Sequence, residues 1–160
     1  MHVDLSPAVQ RAVTTIQRVL GSVFSFDLLV DFVAAVRMKP VRIEEDEMPI
    51  GMTGYCVALQ DVDLICTRAG LDSILTRAAQ LHELSHLILG HIPRYSNGAD
   101  TPLFATFIQH RNLQRADRRD YAATYDAPQE RDAELLATYL FQSIRQYETS
   151  VPDIAQYLHG

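Results

Sequence analysis

The stretch HELSHLILGH, residues 82–91, places three histidines and a glutamate among leucines and isoleucines. Most other positions from Ile74 to Leu89 are apolar, so the segment reads as a largely buried helix. Burying ionisable groups without partners is costly, and a cluster of them in such a helix needs an explanation. A bound metal ion supplies one. The alternative is a pair of partly exposed surface histidines with a salt bridge along the helix.

His82 and His86 are four residues apart, so on a helix both imidazoles project from nearly the same face, one turn apart. Two rings so placed can reach one Zn²⁺ ion. Glu83 lies about 100° further round the helix, where it can take a proton from a water on the metal instead of binding the ion. The full pattern, His-Glu-x-x-His, predicts a zinc metallopeptidase with Glu83 as its general base.

Two histidines do not complete a tetrahedral zinc site, so a third protein ligand is expected. His91 is the nearest candidate, nine residues after His82, with Gly90 just before it. In the motif variant that uses a third histidine, a glycine stands seven residues after the first histidine and the third histidine stands ten residues after it. The spacing here differs, which points to an acidic residue on a later helix.

The segment QERDAELLATYLF, residues 129–141, has the spacing of an amphipathic helix. Its alanines and leucines mark the buried face. Asp132 lies at the edge of that face, and Glu130 and Glu134 flank it. One of these three carboxylates is expected to face the two histidines.

Capping residues, apolar spacing and stops at proline or glycine divide the chain into predicted elements. In chain order these are helices 7–20 and 26–38, a short strand 41–44, a turn or loop through the acidic run 44–47, strands 53–59 and 62–67 joined by a turn at 60–61, helices 71–91 and 102–115, a long helix from about 127 to 147, and a final turn at 152–158. Helices on either side of a small three-stranded sheet predict an α+β fold, with residues 1–160 as one domain.

Composition narrows the class of protein. A net charge of −6 argues against a general nucleic-acid binder. No apolar run approaches the ~20 residues that cross a bilayer, and no signal peptide is present, so a cytoplasmic protein is expected. Cys56 and Cys66 are then expected to be reduced thiols in the core, not zinc ligands. The basic cluster from Arg111 to Arg119 is expected to be a solvated loop and not a docking site.

HELSHLILGH, followed by ERDAELLATYL at residues 130–140, resembles the ImmA/IrrE family of metallopeptidases. That family's pattern is HE-x-x-H-x-x-L-H or a close variant, then E-x-E-A-x-x-F-A on a second helix. The hairpin sequence TGYCVALQDVDLICTR, residues 53–68, is also similar, and the resemblance covers roughly residues 26–145. Many zincins share the first motif, so the second motif is what narrows the choice.

The resemblance implies a compact, gluzincin-like zincin. It implies that His82 and His86 bind Zn²⁺ and that Glu83 is the catalytic glutamate. Asp132 falls where the family's third ligand, a glutamate, stands immediately before an alanine. The aspartate is one methylene shorter, and Glu134 is the alternative ligand.

The chain also departs from the family pattern at Ser85, where the residue before the second histidine is usually glycine. Candidates for stabilising an oxyanion are His91, Tyr95, His110 and Tyr139. His91 is alternatively expected to cap the end of the motif helix, where a cation is favoured.

The resemblance further implies a regulatory role. Members of the family act with helix-turn-helix repressors, which they cleave or inactivate in stress responses or in the control of mobile elements. This sequence contains no helix-turn-helix of its own, so the repressor is expected to be a separate partner. The alternative functions are a non-catalytic partner-binding module and a toxin–antitoxin component, with a structural or lost metal site.

Overall fold

Four α-helices and two small β-sheets make up the part of the chain that the computed structural model describes, residues 4–92, 94–95 and 123–150. The α+β class predicted from the sequence is confirmed. In chain order the elements are α1 (Pro7–Leu20), α2 (Phe26–Arg37), β1 (Val41–Asp46), β2 (Gly54–Ala58), β3 (Asp63–Arg68), α3 (Ser73–Leu89), β4 (Arg94–Tyr95), β5 (Ala123–Thr124) and α4 (Ala127–Ser150).

Three sequence predictions lie outside the described residues: the helix at 102–115, the loop from Arg111 to Arg119 and the turn at 152–158. Among the helices that are described, none combines the length and the apolar character that crossing a membrane requires.

The first three helices begin at the capping residues that the sequence indicates. The Oγ atoms of Ser6 and Ser25 accept hydrogen bonds from the backbone N–H groups three residues later, at 3.3 and 3.1 Å. Asp72 does the same for α3 at 2.8 Å. Each side chain satisfies a backbone donor that the helix itself leaves unpaired. The positions of α1, α2 and α3 could therefore be read from the sequence to within two residues.

The three-stranded sheet has the order β1-β3-β2, with β1 parallel and β2 antiparallel to β3. The predicted hairpin of β2 and β3 is confirmed. β1 extends beyond the predicted strand 41–44, so the prediction of a turn or loop is wrong for Glu45 and Asp46. They stay extended because β3 offers backbone partners as far as Arg68, and the N–H of Ala69 donates to the carbonyl of Asp46 at 2.8 Å.

The main core lies between the helices and one face of the sheet. β2 and β3 contribute Cys56 and Ile65 to it, while Leu81 and Leu84 of α3 are fully buried there. The opposite sheet face buries a smaller cluster that includes Cys66. Both cysteines are buried free thiols, as expected. Because both faces of the sheet are covered, β3 is almost wholly buried and gives α3 a rigid support.

Candidate metal centre

His82 and His86 project from one face of α3, and their imidazoles meet as the four-residue spacing predicts. Their Nε2 atoms are 3.3 Å apart and the rings lie edge to face. The His86 side chain is 1% exposed and that of His82 is 23% exposed. Leu81 and Leu84 anchor α3 in the core. The neighbouring face, which carries the histidines, is thereby directed towards α4.

Glu130 brings a carboxylate to the two histidines. From the first turn of α4, its Oε2 lies 2.9 Å from Nε2 of His82 and its Oε1 lies 3.5 Å from Nε2 of His86. Its side chain is 46% exposed, so the cluster opens to solvent on this side. These three residues form the one group of potential ligands, in the part of the chain that the structure describes, that could hold a metal ion.

A capping box fixes the start of α4 and with it the position of Glu130. The backbone N–H of Gln129 donates to Oδ1 of Asp126 at 2.9 Å, and Oε1 of Gln129 accepts from the N–H of Asp126 at 3.1 Å. This reciprocal pair satisfies two backbone donors at the helix start. Nε2 of Gln129 also donates to the carbonyl of Ile92 at 3.4 Å, which ties α4 to the segment after α3.

The carboxylate of the cluster is that of Glu130, and the predicted ligand Asp132 is not part of it. Asp132 stands two residues further along α4, which turns its side chain about 200° away from that of Glu130. Its charge acts instead on His91. The carboxylate of Asp132 raises the pKa of His91, but burial lowers that pKa by a larger amount. The rotation of α4 about its own axis, which apolar spacing indicates only coarsely, decides which carboxylate faces α3.

Glu134, the alternative ligand in the sequence prediction, occupies the outer side of His82. It lies one turn after Glu130, and its Oε2 is 3.3 Å from Nδ1 of His82. Nε2 of the same ring is hydrogen-bonded to Glu130. Glu134 therefore lies against the side of the imidazole that faces away from His86 and Glu130.

His91 plays the matching part for His86. Gly90 adopts a left-handed conformation with φ of 65° and ends α3, and the N–H of His91 donates to the carbonyl of His86 at 3.1 Å. This turn sets Nδ1 of His91 2.8 Å from Nδ1 of His86. Burial lowers the pKa of His91. The ring is thus a neutral partner of His86, and not the helix-end cation considered from the sequence.

Tyr125 covers the face of His86. The two rings are stacked, with centroids 3.6 Å apart and an interplanar angle of 8°. Burial, then His82 and His91, lower the pKa of His86 to about 3, which keeps its imidazole neutral. The sequence analysis missed Tyr125. Its only local signal is its place immediately before the cap of α4, and the contact depends on how α4 enters against α3.

Glu83, the predicted general base, lies beside the cluster in a buried setting. It is 7% exposed, and burial, with a smaller contribution from the charge of Glu130, raises its pKa to about 8. Gly54 of β2 lies next to it: a Cβ there would be in ordinary contact with Cγ and Oε1 of Glu83, at 3.5 and 3.6 Å, and closer, at 3.2 Å, to the carbonyl oxygen of Cys66. The raised pKa means that this carboxyl is largely protonated at neutral pH and that its carboxylate form is a stronger base than an exposed glutamate.

Among the remaining oxyanion candidates, Tyr139 is the one whose side chain lies in the described part of the chain. Tyr139 is nine residues after Glu130 on α4, about half a turn away, so it lies on the opposite helix face. Its hydroxyl is buried without a hydrogen-bond partner in the described part of the chain. His110 and the side chain of Tyr95 lie outside what the structure describes.

Comparison of the chain with family models, curated proteins and solved structures finds no match. The resemblance noted in the sequence therefore rests on the chain's own residues.

Proposed function

We propose that this protein is a zinc-dependent metallopeptidase whose metal centre is formed by His82, His86 and Glu130, with Glu83 as the general base. The observation that carries the proposal is the convergence of two imidazole Nε2 atoms and a carboxylate on one point. Three groups that can all act as acceptors do not approach to such distances without a proton or a cation between them.

The spacing of the two imidazoles fits a tetrahedral ion. Ligand atoms bonded at ~2.0–2.1 Å in tetrahedral geometry lie about 3.3 Å apart. Here the two Nε2 atoms are 3.3 Å apart, while one oxygen of Glu130 is 2.9 Å from Nε2 of His82 and its other oxygen is 3.5 Å from Nε2 of His86. Nδ1 of each ring has a neighbour of its own, Glu134 for His82 and His91 for His86, so Nε2 is the atom of each ring that would bind the ion. Two imidazoles and one carboxylate form a ligand set that catalytic zinc sites use.

The open side of the centre favours catalysis over a structural role. Structural zinc sites are usually closed by four protein ligands, whereas catalytic sites keep one position free. The described residues supply three ligands, and the solvent-facing side lies at Glu130. This contrast makes the non-catalytic partner-binding module, with its structural metal, the weaker reading.

A divalent ion in this centre supplies Lewis-acid chemistry, which polarises a carbonyl and makes water more acidic. Glu83 accepts the proton of the attacking water and later passes it to the leaving amine. Its burial leaves few competing waters around the carboxylate, which lies next to Gly54 of β2. Glu134 and His91 hold the two imidazoles in place throughout.

Two motifs in the expected order and a hairpin before them support a place in the ImmA/IrrE family, with a zincin-like fold and a helix-turn-helix repressor as the substrate. Glu130 falls on the first glutamate of the family's E-x-E-A pattern and Asp132 on the second. The preference for Glu130 in the structure is therefore compatible with the same pattern. Regulation of a stress response or a mobile element follows from that partner.

The test is a comparison of the zinc-loaded wild-type protein with Glu83→Gln. Both are incubated with a mixed peptide library, and with any helix-turn-helix repressor encoded beside the gene, and the products are identified by mass spectrometry. We expect cleavage by the wild type and at least an approximately 100-fold loss in Glu83→Gln, because general-base catalysis contributes about that much. Zinc content should be equal in both.

The matched control is Glu47→Gln, an exposed glutamate outside the centre, which should cleave like the wild type. Hydrolysis that persists undiminished in Glu83→Gln, or no hydrolysis of any peptide or repressor by the zinc-loaded wild type, contradicts the proposal.

A further inference from the structure

A cavity of about 500 Å³ lies between α3 and α4 and opens beside the candidate metal centre. Its volume is within the ~300–1,000 Å³ typical of binding pockets. His82 and Glu134 line one end of it. A molecule in this cavity therefore touches the outer side of the proposed centre.

The walls of the cavity follow from helix spacing. On α3, Leu75, Ala78 and His82 succeed one another at intervals of three or four residues and so share one face. Glu134 and Phe141, seven residues apart, do the same on α4. These two sets of lining residues, one on α3 and one on α4, face each other over about 10 Å of helix, the length of seven residues. They form an apolar slot that runs away from the histidines.

The chemistry of the lining selects its occupant. Apart from His82, the one ionisable side chain among the lining residues is Glu134, and that carboxylate already pairs with Nδ1 of His82. A charged group buried in the slot would have no partner of its own, which is costly. Leu75 at the rim is 52% exposed, an apolar surface that a ligand would remove from water.

We propose that this slot binds one large apolar side chain, such as leucine, methionine or phenylalanine, of the peptide cleaved at the centre. The inference rests on the proposed peptidase function and adds to it a substrate class. His82 lines the slot and also belongs to the proposed centre. The side chain that fills the slot therefore belongs to a residue close to the scissile bond.

The experiment profiles cleavage of a peptide library by the zinc-loaded full chain and by Ala78→Phe. Ala78 is exposed and lines the slot, so a phenylalanine there narrows it without entering the core. We expect the wild type to prefer a large apolar residue at one fixed position from the cut. In Ala78→Phe, kcat/KM for those peptides should fall about tenfold or more, while peptides with alanine there change less than about twofold.

Ala35→Phe is the control, since Ala35 is an exposed alanine of α2 that does not line the slot. Zinc content and circular dichroism establish that the variants fold, and Ala78→Leu replaces Ala78→Phe if the latter does not.

Wild-type cleavage without an apolar preference, or a preference that Ala78→Phe leaves unchanged, overturns the slot assignment while the peptidase proposal stands. A change of oligomeric state in Ala78→Phe without a change in preference overturns it too, by assigning the slot to a second copy. Absence of all cleavage by the wild type contradicts the peptidase function itself.

Discussion

At the residue scale, the proposed centre depends on the groups that lie against the outer nitrogens of the two histidines. Oε2 of Glu134 is 3.3 Å from Nδ1 of His82, and Nδ1 of His86 is hydrogen-bonded to Nδ1 of His91. Either ring could otherwise rotate or carry its proton on Nε2, which would remove the lone pair that a metal needs. The residues outside the ligand set therefore decide whether the ligand atoms point at a common ion.

Glu134→Ala should weaken zinc binding without abolishing it. The variant keeps all three proposed ligands but frees Nδ1 of His82, and the loss of such an outer partner costs about 10–100-fold in metal affinity. Competition titration with a chelator measures the change. Glu148→Ala, which removes another exposed glutamate of α4, is the control and should bind zinc like the wild type. Complete loss of zinc in Glu134→Ala would make Glu134 a ligand, as the sequence analysis allowed.

At the scale of elements, the sequence predicted more about the positions of helices than about their rotation. Caps at Ser6, Ser25 and Asp72 gave the starts of three helices, because capping depends on residues close in sequence. The choice between Asp132 and Glu130 depends on how α4 is rotated against α3. That rotation results from packing across the core, which no local pattern encodes. The true extent of β1 was missed for the same reason, since its partner strand is distant in sequence.

The capping box of α4 leads to a prediction that links an element to the site. Asp126→Ala removes the cap that fixes the first turn, where Glu130 stands. We expect the free energy of unfolding to fall by about 1 kcal/mol, as for other caps. Zinc affinity should fall several-fold as well, because the frayed turn no longer holds the carboxylate in place. Chemical denaturation and zinc titration measure the two effects.

Ser25→Ala is the matched control for that prediction, because it removes a cap of similar geometry from α2, away from the centre. It should lose about the same stability and keep its zinc affinity. If Asp126→Ala also keeps full zinc affinity, the capping box does not position Glu130.

At the scale of the whole molecule, the sheet and the core support α3, and α4 closes over it with the carboxylates. Glu130 and Glu134 lie against His82, and Glu130 also lies against His86, so the region between the two helices carries carboxylates that would attract a cation. The net charge of −6 argues against a general nucleic-acid binder. The apolar slot lies beside this centre, with His82 and Glu134 in its lining.

The central claim is that His82, His86 and Glu130 bind one zinc ion, and direct measurement of zinc stoichiometry and affinity tests it most directly. The wild type should bind one Zn²⁺ per chain. Glu130→Ala should lose more than about 100-fold in affinity, since even an outer-shell partner is worth about 10–100-fold. Asp132→Ala should bind like the wild type. A wild-type protein that binds no zinc, or binding that survives Glu130→Ala and is lost in Asp132→Ala, would contradict the claim.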